Sequence, residues 1–548
     1  MTSPDDATAP RRSRTLRPWA VAVCVAALLA VMAVAMVTTA LQQTPTIDEP
    51  VYVGAAAVYQ REHSLHLNPE HPPLGKLIMG VGLAIARPRL DAGFAGTQEA
   101  TGRHLLYESG NDAQRVLLAA RLAMIVLTLL FGLVVFAFAS DLAGRTGGLL
   151  ALALYAFSPD VIAHGSLATL DVPAAGFLLT SVWLLWRARR RPLPCLPLAG
   201  AALGAAVATK MTMLAAVPVL VVLAAWSATR STDRESSEEP TRRGFAVRGV
   251  GAATGILLIA VAVVWASYLA VDPRLRWTTP ANVPDARGLR GLAAGLMPFP
   301  PPFRDGMRVQ FGFENSTWTG FLFGTTYRGS RWYYLPAALL VKTPLGALAL
   351  WAAGVAAMAT RRFRPAAPYV LLPAAVLLLV AMGGSRDLGV RYVIVVPMFL
   401  AVAAAGVVAF RRHWLAAVPL LFVAISSLLA FPFYLPYSNE AFGGPSKTHL
   451  RLHDSNVDWG QDLGRLADRL RTRYPGENVW LAYKGSGVPS YYGITASDPF
   501  LVPSGQVRGL LVVSDSWIAK ADPRVIGLIE TSEPIDEVGH SLTIYRRR

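Results

Sequence analysis

Two adjacent acids, Asp48 and Glu49, stand just beyond the first long apolar run of this chain, in "TIDEP". About twenty residues on comes "HPPLGK", His71 to Lys76. Arg121 interrupts an apolar stretch, "LLAARLAMIV", and an arginine within hydrocarbon costs about 2.5–3.5 kcal/mol on insertion scales. "SPDVIAHGSLATLDVP" adds Asp160, His164 and Asp171, and Lys210, Arg386, Asp387 and Arg391 follow at later junctions between apolar runs. Carboxylates and cations gathered at one membrane face suit a lipid phosphate and a hydroxyl that must lose its proton. The cations hold the phosphate, and a carboxylate takes the proton. Each residue also has an ordinary reading. Glu49 with Pro50, and Asp171 with Pro173, could start helices; His71 could be a turn residue, and Lys76 could run its stem along apolar surface.

Those junctions have meaning only through the elements that carry them. The chain has 548 residues, 53% hydrophobic and 16% charged, a balance that points to a polytopic membrane protein. Apolar runs lie at 18–41, 113–140, 146–163, 170–187, 195–209, 211–229, 248–271, 334–359, 366–383, 391–410 and 414–435. At about 20 residues per crossing, they predict about 11 transmembrane helices. The net charge of +16 raises nucleic acid as a partner. The arginines, however, cluster in short loops, "RRSRTLR", "RARRR", "TRSTDRESSEEPTRR", "TRRFR" and "FRRH", the pattern of cytoplasmic segments, so no nucleic acid is expected. With an odd number of spans and a cytoplasmic N-terminal tail (1–17), all five clusters fall inside. Loops 42–112 and 272–333 and a C-terminal region, 436–548, are then extracytoplasmic. That places every acid and cation above on the outer face. The apolar spacing of Leu463, Leu466, Ala467 and Leu470 predicts a helix. "NVWLAY", "VRGLLVVSD" and "HSLTIYRRR" read as strands, so the tail is expected to be a small α/β domain. Cys24 and Cys195, near cytoplasmic ends of spans, predict no disulfide framework.

In their order and loop spacing, Asp48–Glu49, "HPPLGK", Arg121 and Asp171 resemble the multi-spanning C-type glycosyltransferases. They are similar in particular to the family 39 protein O-mannosyltransferases and the related aminoarabinose transferases. "WYYLPAALLVKTPL", "GVRYVIVVPMF" and "DSNVDWGQDL" resemble a bacterial branch of phospholipid-carrier-dependent enzymes. The resemblance implies an all-α polytopic fold and an inverting transfer from a polyprenyl-phosphate sugar to an acceptor hydroxyl at the outer face. Asp48 would be the base, and Glu49 and Asp171 would orient substrates or share that role. Arg121, His71, Lys76, Lys210 and Arg391 would hold the phosphate. Two departures matter. Loop 272–333 is too short for the sugar-binding module of the eukaryotic mannosyltransferases, and "EHPP" replaces the lysine-bearing turn of the aminoarabinose enzymes.

No cofactor is called for; a divalent metal is permitted by the carboxylates but not required. The partners are the lipid bilayer, the lipid-linked donor and a glycan, lipid or protein acceptor. The setting is the plasma (inner) membrane. Cleavage of the first run as a signal peptide is disfavoured by its length and by the poor site "VTTALQQ". The competing reading is a transporter or flippase, which calls for repeated halves and helices broken near the bilayer middle. A scaffold with an outer sensing domain would tolerate free exchange of the outer acids.

Overall fold

A computed structural model describes residues 17–548 except 92, 231–241, 287 and 411–413. Most of three arginine clusters, those within 11–17, 229–243 and 410–413, lie outside the described residues.

The apolar runs are helical. The helices are α1 (Pro18–Gln42), α2 (Glu49–Arg61), α3 (Leu74–Ala86), α4 (Gln98–Arg103), α5 (Ala113–Ala156), α6 (Pro159–Gly165), α7 (Asp171–Ala188), α8 (Pro192–Thr209), α9 (Val217–Thr229) and α10 (Arg242–Leu269). Then come α11 (Gly288–Leu296), α12 (Pro301–Asn315), α13 (Tyr334–Lys342), α14 (Leu345–Met358), α15 (Ala367–Met382), α16 (Val395–Ala404) and α17 (Trp414–Ala430). Among the described residues, five helical segments are long and apolar enough to cross a membrane alone, or up to six if the bent pair α13–α14 is one span. Shorter apolar helices cover α3, α15, α17 and the run Val395–Ala409.

Two runs have shapes that periodicity does not reveal. α5 holds 44 residues, roughly 66 Å at 1.5 Å per residue, about twice the hydrocarbon thickness. It turns at Gly144, whose φ of 73° lies in the left-handed region that glycine adopts without strain, so it supplies two of the runs. The run 334–359 is counted as one crossing. Within it α13 and α14 meet at 118°, because Pro344 has no N–H to continue the helix and disfavours α geometry at Thr343.

α2, which follows Asp48, packs on α4 at a crossing where Gly54 meets the backbone of Gly102 and Gly102 meets Pro50; a methyl group on either glycine would collide with backbone. α3 sits on α5 with Gly82 directly against the Ala119 carbonyl. These two contacts fix the loop from 62 to 73 over the helix ends.

The C-terminal region has α18 (Leu463–Arg473), β3 (Val479–Ala482), β4 (Gly509–Ser514), α19 (Asp515–Ala519), α20 (Pro523–Glu530), β5 (Glu533–Val538) and β6 (Leu542–Arg547). The sheet order is β3-β4-β6-β5, with β3 parallel to β4 and the other pairs antiparallel. Side chains alternate between faces along each strand. Val479, Leu481, Leu510, Val512 and Ile544 pack with Leu463, Leu466 and Leu470 of α18 on one face. Trp480, Leu511, Val513 and Tyr545 pack with Val525 and Leu528 of α20 on the other. β5 is the strand that no apolar alternation marks, since "EPIDEV" is acidic and edge-lying. A hairpin, β1 (Thr319–Leu322) and β2 (Thr325–Arg328), follows α12.

The C-terminal region is stitched to the segment that follows α1. Thr44 N–H donates to the Gln461 carbonyl (2.9 Å), Ile47 N–H to the Trp459 carbonyl (2.9 Å), and the Ser486 hydroxyl to the Thr46 carbonyl (2.9 Å). The stretch carrying Asp48 and the stretch around Trp459 are therefore fixed by one another.

Candidate active site

Asp48 sits at the N-terminus of α2 without capping it; its Oδ2 accepts from Arg391 Nη1 at 2.6 Å. The Asp48 side chain is 26% exposed and that of Arg391 10%. Arg391 lies in the 3₁₀ turn Val390–Val393 that leads into α16. Its guanidinium is held 4.2 Å from the Trp459 ring centroid and 5.1 Å from that of Tyr392, and its Nε is buried without a hydrogen-bond partner. An arginine that stacks on rings and lines a cavity can take an anion there.

This pair opens on a cavity of about 610 Å³. The helix ends and the loops between them contribute Tyr52, Glu70, His71, Gln98, Lys210, Gln310, Trp318, Arg386 and Tyr392, and the C-terminal region contributes Asp454, Trp459, Lys484 and Lys520. Lys210 ion-pairs with the buried Asp171 and lies 5.3 Å from the Tyr392 ring centroid. Arg386 pairs with Glu314 at 3.0 Å and donates to Gln310. Asp454 pairs with Lys484 and has a left-handed φ of 54°, a conformation held by the Ser516 hydroxyl, which accepts from its N–H at 3.1 Å. Burial would raise the Asp454 carboxyl, but Lys484 and His453 overcome it and hold it down to about 2.

Several expected site residues take different roles. Arg121 is not on the cavity wall. It is fully buried and donates through Nε and Nη2 to Glu49 (both 2.7 Å), through Nη1 to the Ala40 (2.7 Å) and Gln43 (2.8 Å) carbonyls, and through Nη2 to the Thr44 carbonyl (3.1 Å). A guanidinium has five N–H donors, so none remains for a phosphate. Glu49 is equally closed. It accepts from Arg121, from the Thr46 N–H (2.9 Å) and hydroxyl (3.0 Å), and from the Ala168 N–H (2.8 Å). Burial raises its carboxyl, but Arg121 and the backbone donors outweigh that and leave it below the usual value. Lys76 is buried, with its ammonium bonded to the Asn68 carbonyl (2.9 Å), Asn68 Oδ1 (3.0 Å) and the His71 carbonyl (2.7 Å), all three donors occupied. It ties the loop before α3 rather than facing the cavity.

His71 does line the cavity, in edge contact with Tyr52 at 5.5 Å, with Nδ1 buried and unpartnered. Burial, then Lys210 and Lys76, push its imidazole well below 6.5, so it is a neutral hydrogen-bonding group, not a cation. Asp171 is buried behind Lys210 and fixes that lysine from outside the cavity wall. Of the expected set, Asp48, His71, Lys210 and Arg391 share the cavity, whereas Glu49, Arg121, Lys76 and Asp171 support it. Among the described residues no three His, Cys, Asp or Glu side chains gather as a metal site.

The chain is aligned over 97% of its length with the structure of ArnT from Cupriavidus metallidurans bound to undecaprenyl phosphate, covering 98% of that chain with a TM-score of 0.50 at 15% identity. The fold is that of the C-type glycosyltransferases. Residues 25–272 match the model of the dolichyl-phosphate-mannose-protein mannosyltransferase family. That stretch contains Asp48, Glu49, "HPPLGK", Arg121, Asp171 and Lys210, so the resemblance read from those motifs holds there. The Saccharomyces cerevisiae protein O-mannosyltransferase Pmt1-Pmt2 complex bound to the sugar donor aligns at 18% identity over 47% of this chain and 34% of that one, with a TM-score of 0.35. The oligosaccharyltransferase of Archaeoglobus fulgidus aligns at 13% over 93% and 73%, with a TM-score of 0.43. No curated protein sequence matches.

Proposed function

We propose that this protein is an inverting glycosyltransferase that moves a sugar from a polyprenyl-phosphate donor to an acceptor hydroxyl at the outer membrane face. The observation that carries it is the Asp48–Arg391 pair at 2.6 Å, open to a cavity whose wall also holds Lys210 and Arg386. The undecaprenyl phosphate of the structurally similar ArnT supports a lipid phosphate as the leaving group. The acceptor O–H gives its proton to the Asp48 carboxylate, and the oxygen forms a bond to the anomeric carbon. The bond from that carbon to the phosphate oxygen breaks, and the phosphate leaves with the electron pair. Attack opposite the leaving group inverts the configuration. Arg391, Lys210 and Arg386 receive the charge that develops on the phosphate. His71 donates at most one neutral hydrogen bond. The reaction needs a base and a cationic cradle, and a divalent metal is not required for it.

In this reading eleven spans carry the chain from a cytoplasmic N-terminus to an extracytoplasmic α/β domain at 436–548, which closes the cavity from outside. The bilayer in question is the plasma membrane. The experiment is incubation of the full-length protein in membranes with a panel of radiolabelled polyprenyl-phosphate sugars. Label transferred by the wild type and not by Asp48→Asn supports the reading. No transfer from any donor, or equal transfer by the variant, overturns it.

A further inference from the structure

Five basic side chains line the cavity, and four are balanced. Arg391 faces Asp48, Lys210 faces Asp171, Arg386 faces Glu314, and Lys484 faces Asp454. Lys520, the residue after α19, lines the cavity and makes no ion pair within 4.0 Å among the described residues, although Asp454 and Asp458 act on it from farther away. Its ammonium lies 5.2 Å from the Trp517 ring centroid, and its position is fixed by the Thr326 hydroxyl, which donates to the Ala519 carbonyl at 2.7 Å. The hairpin β1–β2 is thus tied to the end of α19 next to the cavity. Burial, then the neighbouring Lys484, lower the affinity of Lys520 for its proton, and Asp454 and Asp458 offset this only in part. A bound anion would relieve both costs.

The basic wall draws on two regions of the chain. Lys210, Arg386 and Arg391 come from the ends of membrane helices, and Lys210 interacts with both arginines. Lys484 and Lys520 come from the C-terminal region and neighbour one another and Asp454. A lipid-linked monophosphate has one phosphate, and its tail keeps that phosphate at the membrane end. The outer cation is left for the second substrate. We infer that the acceptor is an anionic sugar, and that Lys520, with Lys484 beside it, receives a carboxylate or phosphate group near the attacking hydroxyl. This rests on the proposed glycosyl transfer and names its acceptor class. The pair selects the acceptor; Asp48 remains the base.

The test uses full-length protein in nanodiscs and reads ligand-dependent shifts of thermal unfolding. Three probes are compared: octyl glucoside, octyl glucuronide and octyl glucoside 6-phosphate, all at concentrations below micelle formation. The expected result is binding of one or both anionic probes about tenfold tighter than the neutral one, as for a single charge-assisted contact. The carboxylate and phosphate arms tell which group is preferred. Lys520→Glu removes the preference, and Lys520→Arg retains it. Equal response to all three probes, no response to any, or a preference unchanged in Lys520→Glu overturns the inference. Polyprenyl phosphate is run in parallel. If Lys520→Glu weakens it as much as the anionic probes, Lys520 belongs to the donor phosphate and the inference fails. If wild-type protein does not respond to polyprenyl phosphate at all, the failure lies with the proposed glycosyl transfer itself.

Discussion

Asp48 and Glu49 are neighbours in the chain, and each meets an arginine, yet the two ion pairs are opposites. Glu49–Arg121 is fully buried, and every donor on the arginine is satisfied. Asp48–Arg391 is partly exposed, has a single bond at 2.6 Å, and leaves a buried Nε without a partner. The first pair joins α5 to the end of α1 and the start of α2, so it fixes the backbone from which Asp48 projects. The second meets the cavity. A saturated charge pair is a joint, and an unsaturated one is a site.

The sharpest way to break this distinction is to neutralise the two acids separately. Asp48→Asn should lower kcat by about 10²–10⁴, the range for a lost general base, while the protein unfolds at the wild-type temperature. Because Arg391 loses its resting partner, donor KM should not rise. Wild-type turnover in Asp48→Asn, or loss of folded protein, would collapse the contrast between the two acids.

Arg121→Met should act the other way. It strands a buried carboxylate, and breaking one side of a buried pair costs about 3–5 kcal/mol. Folded yield and thermal stability in nanodiscs should fall sharply. The double variant Glu49→Gln/Arg121→Met should recover part of the loss, because no unpaired charge is left. A stable Arg121→Met protein with weakened donor binding would return Arg121 to the phosphate site. On the open side, Arg391→Ala should lower kcat/KM by about 10²–10³, as for one lost electrostatic contact to the developing charge. Arg391→Lys should recover part of it, since the charge remains but the flat stacking on Trp459 does not.

Residue type and position disclosed which acids and cations stand at helix ends, and Asp48, Lys210 and Arg391 are among those that line the cavity. Which cation meets which acid was hidden. Glu49 and Arg121 are 72 residues apart, and Asp48 and Arg391 343 apart, and no local pattern encodes such partners. An arginine in an apolar run signals that it must be satisfied, not whether ligand or protein does it. Lys484 and Lys520 were invisible for a related reason. Each is a lone lysine in a polar tail, and only the docking of 459–463 against 44–47 carries them to the cavity. The strands of the tail were legible wherever apolar residues alternate or run together, as in β4. The acidic β5 was not, since its pairing to β6 is made by backbone rather than by side-chain pattern.

The smallest expected effect tests the tail. Asp515 is buried; its Oδ1 accepts from the Thr543 hydroxyl at 2.8 Å, and its Oδ2 has no hydrogen-bond partner. Burial pushes its carboxyl up to about 7, with Glu537 and Asp462 adding to the rise and Thr543 and His540 opposing it. The unfolded chain releases that proton near 3.9. Between those values the folded state therefore binds more protons than the unfolded state. The contribution of Asp515 is fully present below about 4, falls as pH rises, and is lost above about 7. His453, pushed down to about 4 by burial, tilts the other way between its folded value and 6.5, so the slope of the wild type alone is not diagnostic. The difference between wild type and Asp515→Asn is. The amide keeps the shape and the bond from Thr543 but does not ionise. Its unfolding temperature relative to wild type should rise by a few degrees from pH 5 to pH 8. A difference that stays flat across that range would show that Asp515 is ionised in the folded protein.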